Sequence, residues 1–198
     1  MNDKDALIIF AKNPEMGKVK TRLAIDVGDE EALKIYKILL KISFAFTRDL
    51  NCKKYIYFTD SVDNSTFDSR YENKIQVDGD LGFKMRSALN DAFDSNFNKV
   101  IIIGTDSPEL NKEIISNAFR SLEEVDLVLG PAIDGGYYLL GMKKRNDTLF
   151  TKIKWSTESV LKDTIEKITT DKLTYRLLEE LIDVDTLEDL NKVKHLIF

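Results

Sequence analysis

The sequence predicts a three-layer α/β protein in which a mostly parallel mixed sheet lies between two layers of helices. Short apolar runs rich in β-branched and aromatic residues alternate with longer segments whose apolar residues recur at helical spacing. This alternation is typical of β-α-β units, and nearly continuous apolar strands are typical of a parallel sheet covered on both faces. Because 43 % of the 198 residues are apolar, one core is expected, and we predict a single domain over residues 1–198.

These two patterns also give the order of the elements. Five apolar runs are predicted to be strands, at residues 6–11, 55–60, 100–104, 126–132 and 136–142. Four segments with helical spacing are predicted to be helices, at residues 30–50, 82–97, 112–125 and 156–168. A last helix is predicted from Thr186, with Asp185 and Glu188 as its capping box, and Asn111 is predicted to cap the third helix.

Composition and charge exclude several classes of function. The net charge of −5 argues against a protein that binds nucleic acid or an anionic membrane surface. No apolar run approaches membrane-spanning length, and the polar start MNDKD does not resemble a secretory signal, so we expect a cytoplasmic protein. The single Cys52 and single His195 cannot form a disulfide or a zinc cluster, so any metal is expected to be a hard ion held by carboxylates.

A basic loop follows the first predicted strand, within the stretch FAKNPEMGKVKTRL at residues 10–23. In an open parallel sheet, ligands bind at the carboxyl ends of the strands, and cations at this position can converge on phosphate oxygens. The loop is not a Walker A loop, since Val19 stands where Walker A requires Ser or Thr. The dinucleotide fingerprint G-x-G-x-x-G is also missing. The alternative is a charged loop that only faces water. The cations of the loop are Lys12, Lys18, Lys20 and Arg22.

Carboxylates follow later strands of the predicted sheet. Asp106 comes directly after the run IIIG and could bind a divalent cation that bridges a diphosphate, or could instead cap a turn before Pro108. Asp134 precedes Gly135 and Gly136, where it could act as a base or bind sugar hydroxyls, while the same residues also predict a hairpin turn. Further along the chain, the segment LIDVDTLEDL contains Asp183 and Asp185. Trp155 is either a core residue or a wall of the pocket.

Six segments in this order resemble the bacterial DUF2064 family, whose members are provisionally described as glycosyltransferases of the nucleotide-diphospho-sugar transferase (GT-A) superfamily. The resemblance covers nearly the whole chain, and it implies the GT-A fold. The same fold also serves guanylyltransferases such as the phospholactate enzyme. The six segments are FAKNPEMGKVKTRL, GDLGFKMRSAL, IIIGTDSPEL, GPAIDGGYYLLGM, WSTESVL and DVDTLEDL.

The resemblance implies a role for each matching segment. Lys18, Lys20 and Arg22 would face nucleotide phosphates, with Lys12 in the same loop, and Asp106 would hold the metal. Residues 134–136 would line the donor-sugar or acceptor side, and we expect Gly135, Gly136, Tyr137 and Trp155 to bind substrate. Many GT-A transferases use an Asp-x-Asp pair, but Ser107 and Pro108 follow Asp106 here, so Asp185 or Asp134 is the candidate second ligand. Two further departures are Leu187, where the family has proline, and Lys84, where it has an acidic or amide residue.

The sequence therefore predicts a glycosyltransferase that uses a nucleotide-diphosphate sugar, a small-molecule acceptor and Mg²⁺ or Mn²⁺. The cations and the metal would stabilise the leaving nucleoside diphosphate, and Asp134 would accept the proton of the acceptor hydroxyl. Two alternatives remain open. One is a nucleotidyltransferase acting on a small phosphorylated substrate, and the other is a non-catalytic domain that binds a nucleotide sugar.

Overall fold

The computed structural model describes residues 1–61 and 69–198, and in this part of the chain seven strands form one sheet. Their order across the sheet is β3-β2-β1-β4-β6-β5-β7. β6 is antiparallel to both of its neighbours, and the remaining neighbours pair in parallel. This mostly parallel mixed sheet confirms the predicted fold class. The strands are β1 (Asp5–Ala11), β2 (Lys53–Phe58), β3 (Glu72–Ile75), β4 (Lys99–Ile103), β5 (Leu127–Pro131), β6 (Tyr137–Met142) and β7 (Tyr175–Leu177).

Helices flank the sheet at the positions that the apolar spacing predicts, with boundaries that differ by a few residues. Asn111 caps α4 as predicted, because its side-chain oxygen accepts hydrogen bonds from the backbone N–H groups of Glu113 and Ile114. The α-helices are α1 (Thr21–Val27), α2 (Asp29–Thr47), α3 (Leu81–Asp94), α4 (Lys112–Ser121), α5 (Val160–Thr170) and α6 (Leu187–Val193), with short 3-10 helices at Asp147–Phe150 and Lys194–Leu196.

The core lies on both faces of the sheet. Along β1, Leu7 and Ile9 join the apolar cluster that contains Phe119 of α4, whereas Ile8 joins the opposite cluster, which contains Leu89 of α3. All three β1 side chains are fully buried. Side chains alternate between the faces of a strand, so a continuous apolar run is required where both faces are covered. This arrangement is the three-layer architecture that the sequence predicts.

One α-helix and two strands were not predicted, and each lacks a strong apolar pattern. α1 buries only Leu23, the edge strand β3 consists largely of polar residues, and all three residues of the opposite edge strand β7 are exposed. The predicted capping box of the last helix is also wrong. Thr186 is the N-cap, and its hydroxyl and the Asp189 carboxylate exchange hydrogen bonds with backbone N–H groups, because the helix begins one residue later than the Asp185 to Glu188 pair requires.

The connections place a topological switch point beside β1. From β1 the chain proceeds outward through β2 to β3, and it then returns to place β4 on the other side of β1. Loops that leave the carboxyl ends of β1 and β4 therefore run in opposite directions and open a crevice between them. Within the described residues, no helix is long and apolar enough to cross a membrane.

Candidate functional site

A cavity of about 1020 Å³ lies at the carboxyl ends of β1 and β4. Its walls come from the loops after β1, β2, β3 and β4, from the turn before β6, and from two segments around Trp155 and Asp183. β6 runs antiparallel, so its amino end meets the carboxyl ends of the parallel strands at one edge of the sheet. The sheet thus brings together residues that are up to about 170 positions apart in the sequence.

The basic loop is fixed to the scaffold at its first residues. The backbone N–H of Lys12 donates to the Tyr36 hydroxyl at 2.7 Å, and that hydroxyl donates to the Lys12 carbonyl at 2.9 Å. Asn13 donates from its side-chain amide to Ser61 and accepts the backbone N–H of Asp60, which joins the loops after β1 and β2. These hydrogen bonds fix the position of the loop where it leaves β1.

Lys20 connects the basic loop with the acidic strand end. Its side chain is only 3 % exposed, and its Nζ lies 2.5 Å from Asp106 Oδ1 and 3.3 Å from Asp185 Oδ1. Burial alone lowers the pKa of Lys20, but the charges of Asp106 and Asp185 outweigh this effect and leave the pKa raised. Lys20 is therefore a charged ammonium inside the site. Arg22 Nη1 lies 3.5 Å from Asp185 Oδ2 on the solvent side.

Asp183 is a further acidic residue in this cluster. Its Oδ1 atom is buried and has no hydrogen-bond partner. Burial raises the pKa of Asp183 well above its usual range, and the negative charge of Asp106 raises it further, while Lys20 opposes the shift. The backbone holds the two acidic segments side by side, since Val184 N–H donates to the Asp106 carbonyl at 3.0 Å.

The chemistry of these donors fits a hard divalent cation. Mg²⁺ and Mn²⁺ prefer carboxylate oxygens, and the orphaned Asp183 oxygen is a group whose burial such an ion would compensate. Among residues 1–61 and 69–198, however, no group of three or more His, Cys, Asp or Glu side chains has the arrangement of a formed metal site. The Lys20 ammonium lies against two of the candidate ligands. The carboxylates of Asp106, Asp183 and Asp185 are therefore suitable metal ligands, but in this structure Asp106 and Asp185 contact the Lys20 ammonium.

The turn before β6 confirms the hairpin prediction for Asp134 and its glycines. Asp134 Oδ1 accepts the backbone N–H of Gly136 at 2.9 Å, and the side chain is exposed at the cavity. Gly135 has φ +87°, and a Cβ there would lie 2.1 Å from the Glu158 carbonyl oxygen. A side chain is excluded at this position because the segment before α5 packs directly on the turn.

Trp155 is both a packing residue and a wall of the cavity. Its ring is stacked with Phe150 at a centroid distance of 6.2 Å, and it lines the cavity beside Lys84 of α3. A Cβ at Gly82 would lie 2.1 Å from the indole Nε1, so the glycine at the start of α3 leaves the space that the ring occupies. Trp155 is therefore both a packed core residue and a wall of the pocket, the two roles that the sequence left open.

The structure brings most of the predicted site residues to the cavity. Lys18 is the exception among the cations, because its side chain is 63 % exposed and is paired with Glu15 at 2.7 Å outside the cavity. Gly135 supports the turn without lining the cavity. The predicted residues that line it are Lys12, Lys20, Arg22, Asp106, Asp134, Gly136, Tyr137, Trp155 and Asp185.

Asp183 and Gln76 are two of the polar cavity residues that were not predicted as site residues. Asp183 follows an apolar run just as Asp185 does, so the sequence carried a signal for it but no basis for choosing between them. Gln76 follows β3 and donates from its side-chain amide to the Tyr57 carbonyl at 3.0 Å. Its position depends on β3, a polar edge strand that the hydrophobic pattern does not predict.

The fold and this site define a transferase of the nucleotide-diphospho-sugar transferase class, and comparisons with known proteins agree. A solved structure from Desulfovibrio desulfuricans G20, provisionally described as a nucleotide-diphospho-sugar transferase, is 31 % identical, with a TM-score of 0.91 over 96 % of this chain and 86 % of that chain. A 2-phospho-L-lactate guanylyltransferase of Methanocaldococcus fervens is 26 % identical over 195 residues, which are 94 % of this chain and 83 % of the relative.

The chain belongs to the DUF2064 family, described as an uncharacterised protein conserved in bacteria, whose profile matches residues 43–157. The resemblance seen in the sequence is thereby confirmed. A more distant solved structure, Rv0371c of Mycobacterium tuberculosis H37Rv in complex with manganese, is 12 % identical with a TM-score of 0.55, covering 100 % of this chain and 99 % of that one. At this identity the similarity shows the fold alone.

Proposed function

We propose that the protein, as one domain over residues 1–198, is a metal-dependent nucleotidyltransferase that joins a nucleoside triphosphate to a small phosphorylated acceptor. The observation that carries the proposal is the contact between the basic loop and the acidic strand end, with Lys20 Nζ 2.5 Å from Asp106 Oδ1, at the switch point of the sheet. The identity to a guanylyltransferase over 94 % of this chain supports this reaction over glycosyl transfer, which the sequence alone favoured.

The cations of the cavity would bind the triphosphate. Lys12 faces the cavity from the loop after β1, and Arg22 faces it from the first turn of α1. Arg22 is 67 % exposed, and both side chains can turn toward phosphate oxygens. An oxygen of the acceptor phosphate would attack the α-phosphorus, the bond from that phosphorus to the bridging oxygen would break, and pyrophosphate would leave with the bonding electrons. Fixed positive charge at this point stabilises the charge that develops on the leaving group.

Asp106 would hold a divalent metal, Mg²⁺ or Mn²⁺, together with Asp185 and with Asp183, whose buried Oδ1 lacks a partner. When bound, the ion would neutralise phosphate charge and polarise the phosphorus centre. Manganese bound to a protein of the same fold is consistent with such a site, although that similarity concerns the fold only.

The acceptor would bind between the turn at Gly136, the Tyr137 backbone and the Trp155 ring, on the side of the cavity where Lys84 supplies a positive charge. No ion pair involves Lys84 within the described part of the chain. A phosphate acceptor is already largely ionised at neutral pH, since its second pKa is about 6, so it needs no general base. In this reaction Asp134 would shape the turn rather than remove a proton.

A second candidate is the glycosyltransferase, which is supported by the description of the 31 % identical structure. It would use the same cations and the same metal ligands, but the acceptor would be a hydroxyl group. Removal of its proton requires a base, and Asp134, which the sequence suggested for this role, is one of the carboxylates at that end of the cavity, together with Glu158. The non-catalytic alternative predicts nucleotide binding without any turnover.

The test is product analysis with purified protein, Mg²⁺ and two substrate panels. One panel contains the four ribonucleoside triphosphates with phosphorylated hydroxy acids and sugar phosphates, and the other contains nucleotide sugars with the corresponding hydroxyl compounds. We expect pyrophosphate release in the first panel. We also expect Asp106→Asn to lose at least about a hundredfold in kcat/KM, since it removes a charged ligand of the metal.

The result that contradicts the proposal is release of nucleoside diphosphate in the second panel with no pyrophosphate in the first. Lys18→Met is the matched control, because Lys18 belongs to the same loop but pairs with Glu15 outside the cavity. Its rate should equal that of the unmodified protein. Nucleotide binding with no product in either panel would instead favour the binding domain.

A further inference from the structure

Lys20 is held in an unusual way for a residue that only binds phosphate. Its ammonium is buried between the carboxylates of Asp106 and Asp185, with one Nζ contact to each. Its backbone is left-handed, with φ +49° and ψ +41°, directly before α1. For a residue with a side chain this conformation is unfavourable, and it persists where the surrounding contacts require it. From this position the Lys20 side chain reaches both carboxylates.

The Lys20 ammonium contacts the carboxylate oxygens that would bind a metal. Asp106 Oδ1 and Asp185 Oδ1 are the atoms that Lys20 contacts, and they belong to two of the three residues proposed as metal ligands. A divalent cation and an ammonium group repel each other and cannot share these oxygens at contact distance. The carboxylates, without a cation, would also repel each other in a partly buried site. A cation at these oxygens offsets that repulsion, and in this structure the cation is the Lys20 ammonium.

We propose that Lys20 is a built-in counter-ion that competes with the divalent metal for Asp106 and Asp185. It neutralises the acidic cluster in the metal-free protein and withdraws when the ion binds. The withdrawn ammonium is then free to meet the phosphates that enter with the metal. Metal binding and phosphate binding are thereby coupled through one side chain, and the coupling is reciprocal. This inference rests on the proposed function, because it uses the same metal site.

The test measures Mn²⁺ binding to the protein without nucleotide, by electron paramagnetic resonance of the free ion and by calorimetry. Lys20→Met removes the competing charge and keeps most of the side-chain volume. We expect it to bind Mn²⁺ about tenfold or more tightly than the unmodified protein, which is within the usual range of coupling between sites. Lys20→Gln is a second variant, whose amide can still donate to the carboxylates and keep the loop in place if Lys20→Met does not fold.

Two controls separate competition at the oxygens from a general effect of charge. Arg22→Met removes a cation that is 67 % exposed and 3.5 Å from Asp185, and it should raise the Mn²⁺ affinity much less. Lys18→Met removes a cation outside the cavity, and it should leave the affinity unchanged. Equal effects of Lys20→Met and Arg22→Met would overturn the inference.

Failure of the inference and failure of the proposed function give different results. If both Lys20 variants bind Mn²⁺ no more tightly than the unmodified protein while Asp106→Asn abolishes binding, the metal site stands and the competition is wrong. If Asp106→Asn binds Mn²⁺ as well as the unmodified protein, the metal site itself is wrong, and the proposed function loses its metal ligand together with this inference.

Discussion

The contact between Gly82 and Trp155 shows how one missing side chain shapes the cavity wall. A Cβ at Gly82 would lie 2.1 Å from two atoms of the indole ring, so Gly82→Ala forces the ring to move. The intrinsic gain from alanine in a helix is about 1 kcal/mol, which is too small to offset a clash with a packed aromatic ring. We expect a lower melting temperature and a shift of the fluorescence emission, which reports on this site because Trp155 is the only tryptophan.

Gly104→Ala is the matched control for that substitution. Gly104 follows β4 in the same cavity, and a Cβ there would meet no atom within 4 Å. Its melting temperature and emission maximum should remain close to those of the unmodified protein. An unchanged spectrum for Gly82→Ala would mean that the ring does not pack against α3 as described.

Asp134 offers a second prediction at the scale of one residue. Asp134→Asn removes the carboxylate but leaves an oxygen that can accept the Gly136 N–H, so the turn should persist. For nucleotidyl transfer to a phosphate we expect kcat to fall less than about tenfold, because that acceptor needs no base. A loss of about 10² or more in kcat would identify Asp134 as a general base and favour the glycosyltransferase.

Among the elements, the edge strand β7 is held by several side-chain contacts, and one of them lies at its start. Asp126 Oδ2 accepts the backbone N–H of Thr174 at 3.0 Å and its hydroxyl at 2.7 Å, which holds the start of β7 beside β5. The hydrogen bonds from Thr174 lower the pKa of Asp126, so this carboxylate favours the folded state in its charged form. Because Asp126 is partly exposed, we expect Asp126→Asn to cost only about 1 kcal/mol at neutral pH.

The pH dependence of that cost follows from the direction of the shift. A carboxylate whose pKa is lowered by folding stabilises the protein above its unfolded pKa of about 3.9, and the contribution is lost as the pH falls through the folded value. The difference in free energy of unfolding between the two proteins should thus be present at pH 7 and decrease as the pH falls below about 3.9. Asp94→Asn, an exposed carboxylate with one long contact to Arg145, is the control and should show no such difference.

For the molecule as a whole, a third apolar cluster joins the two ends of the chain near the site. Leu23 of α1 and Leu39 of α2 pack there with Val184 and with Leu190 of α6. Val184 lies between the acidic residues Asp183 and Asp185, so this cluster holds the acidic segment against the helix that follows the basic loop. The geometry of the site therefore depends on packing outside the cavity.

Leu190→Ala tests this dependence. The side chain is 7 % exposed, and its truncation should cost about 2–4 kcal/mol in free energy of unfolding. We also expect weaker Mn²⁺ binding, since the acidic segment loses part of its support. Leu196→Ala, at a residue that is 42 % exposed, is the control and should change stability by less than about 0.5 kcal/mol. Loss of stability with unchanged Mn²⁺ affinity would show that the cluster does not position the site.

Much of the fold could be predicted because it depends on local patterns. The runs that became β1, β2, β4, β5 and β6 are apolar on both faces, and the spacing in α2 to α5 marks one buried face of each helix. β3 and β7 could not be predicted, because edge strands are held by backbone pairing and by contacts such as Asp126 with Thr174, which no residue pattern within the strand reveals. The cap of α6 could not be predicted exactly either. A shift of one residue in the start of the helix replaces the predicted pair Asp185 and Glu188 by Thr186 and Asp189.

The sequence by itself determined the α/β class, the basic loop after β1, and the carboxylates that follow β4 and precede β6, because each is a feature of consecutive residues. Only the tertiary structure decided that Lys20 rather than Lys18 enters the acidic cluster, that Asp183 joins Asp185 there, and that Lys18 pairs with Glu15 outside. These outcomes depend on which side chains the strand order and the packing of α6 bring within a few ångströms. Distances of that kind are set by the whole fold, since the residues that meet are far apart in the chain.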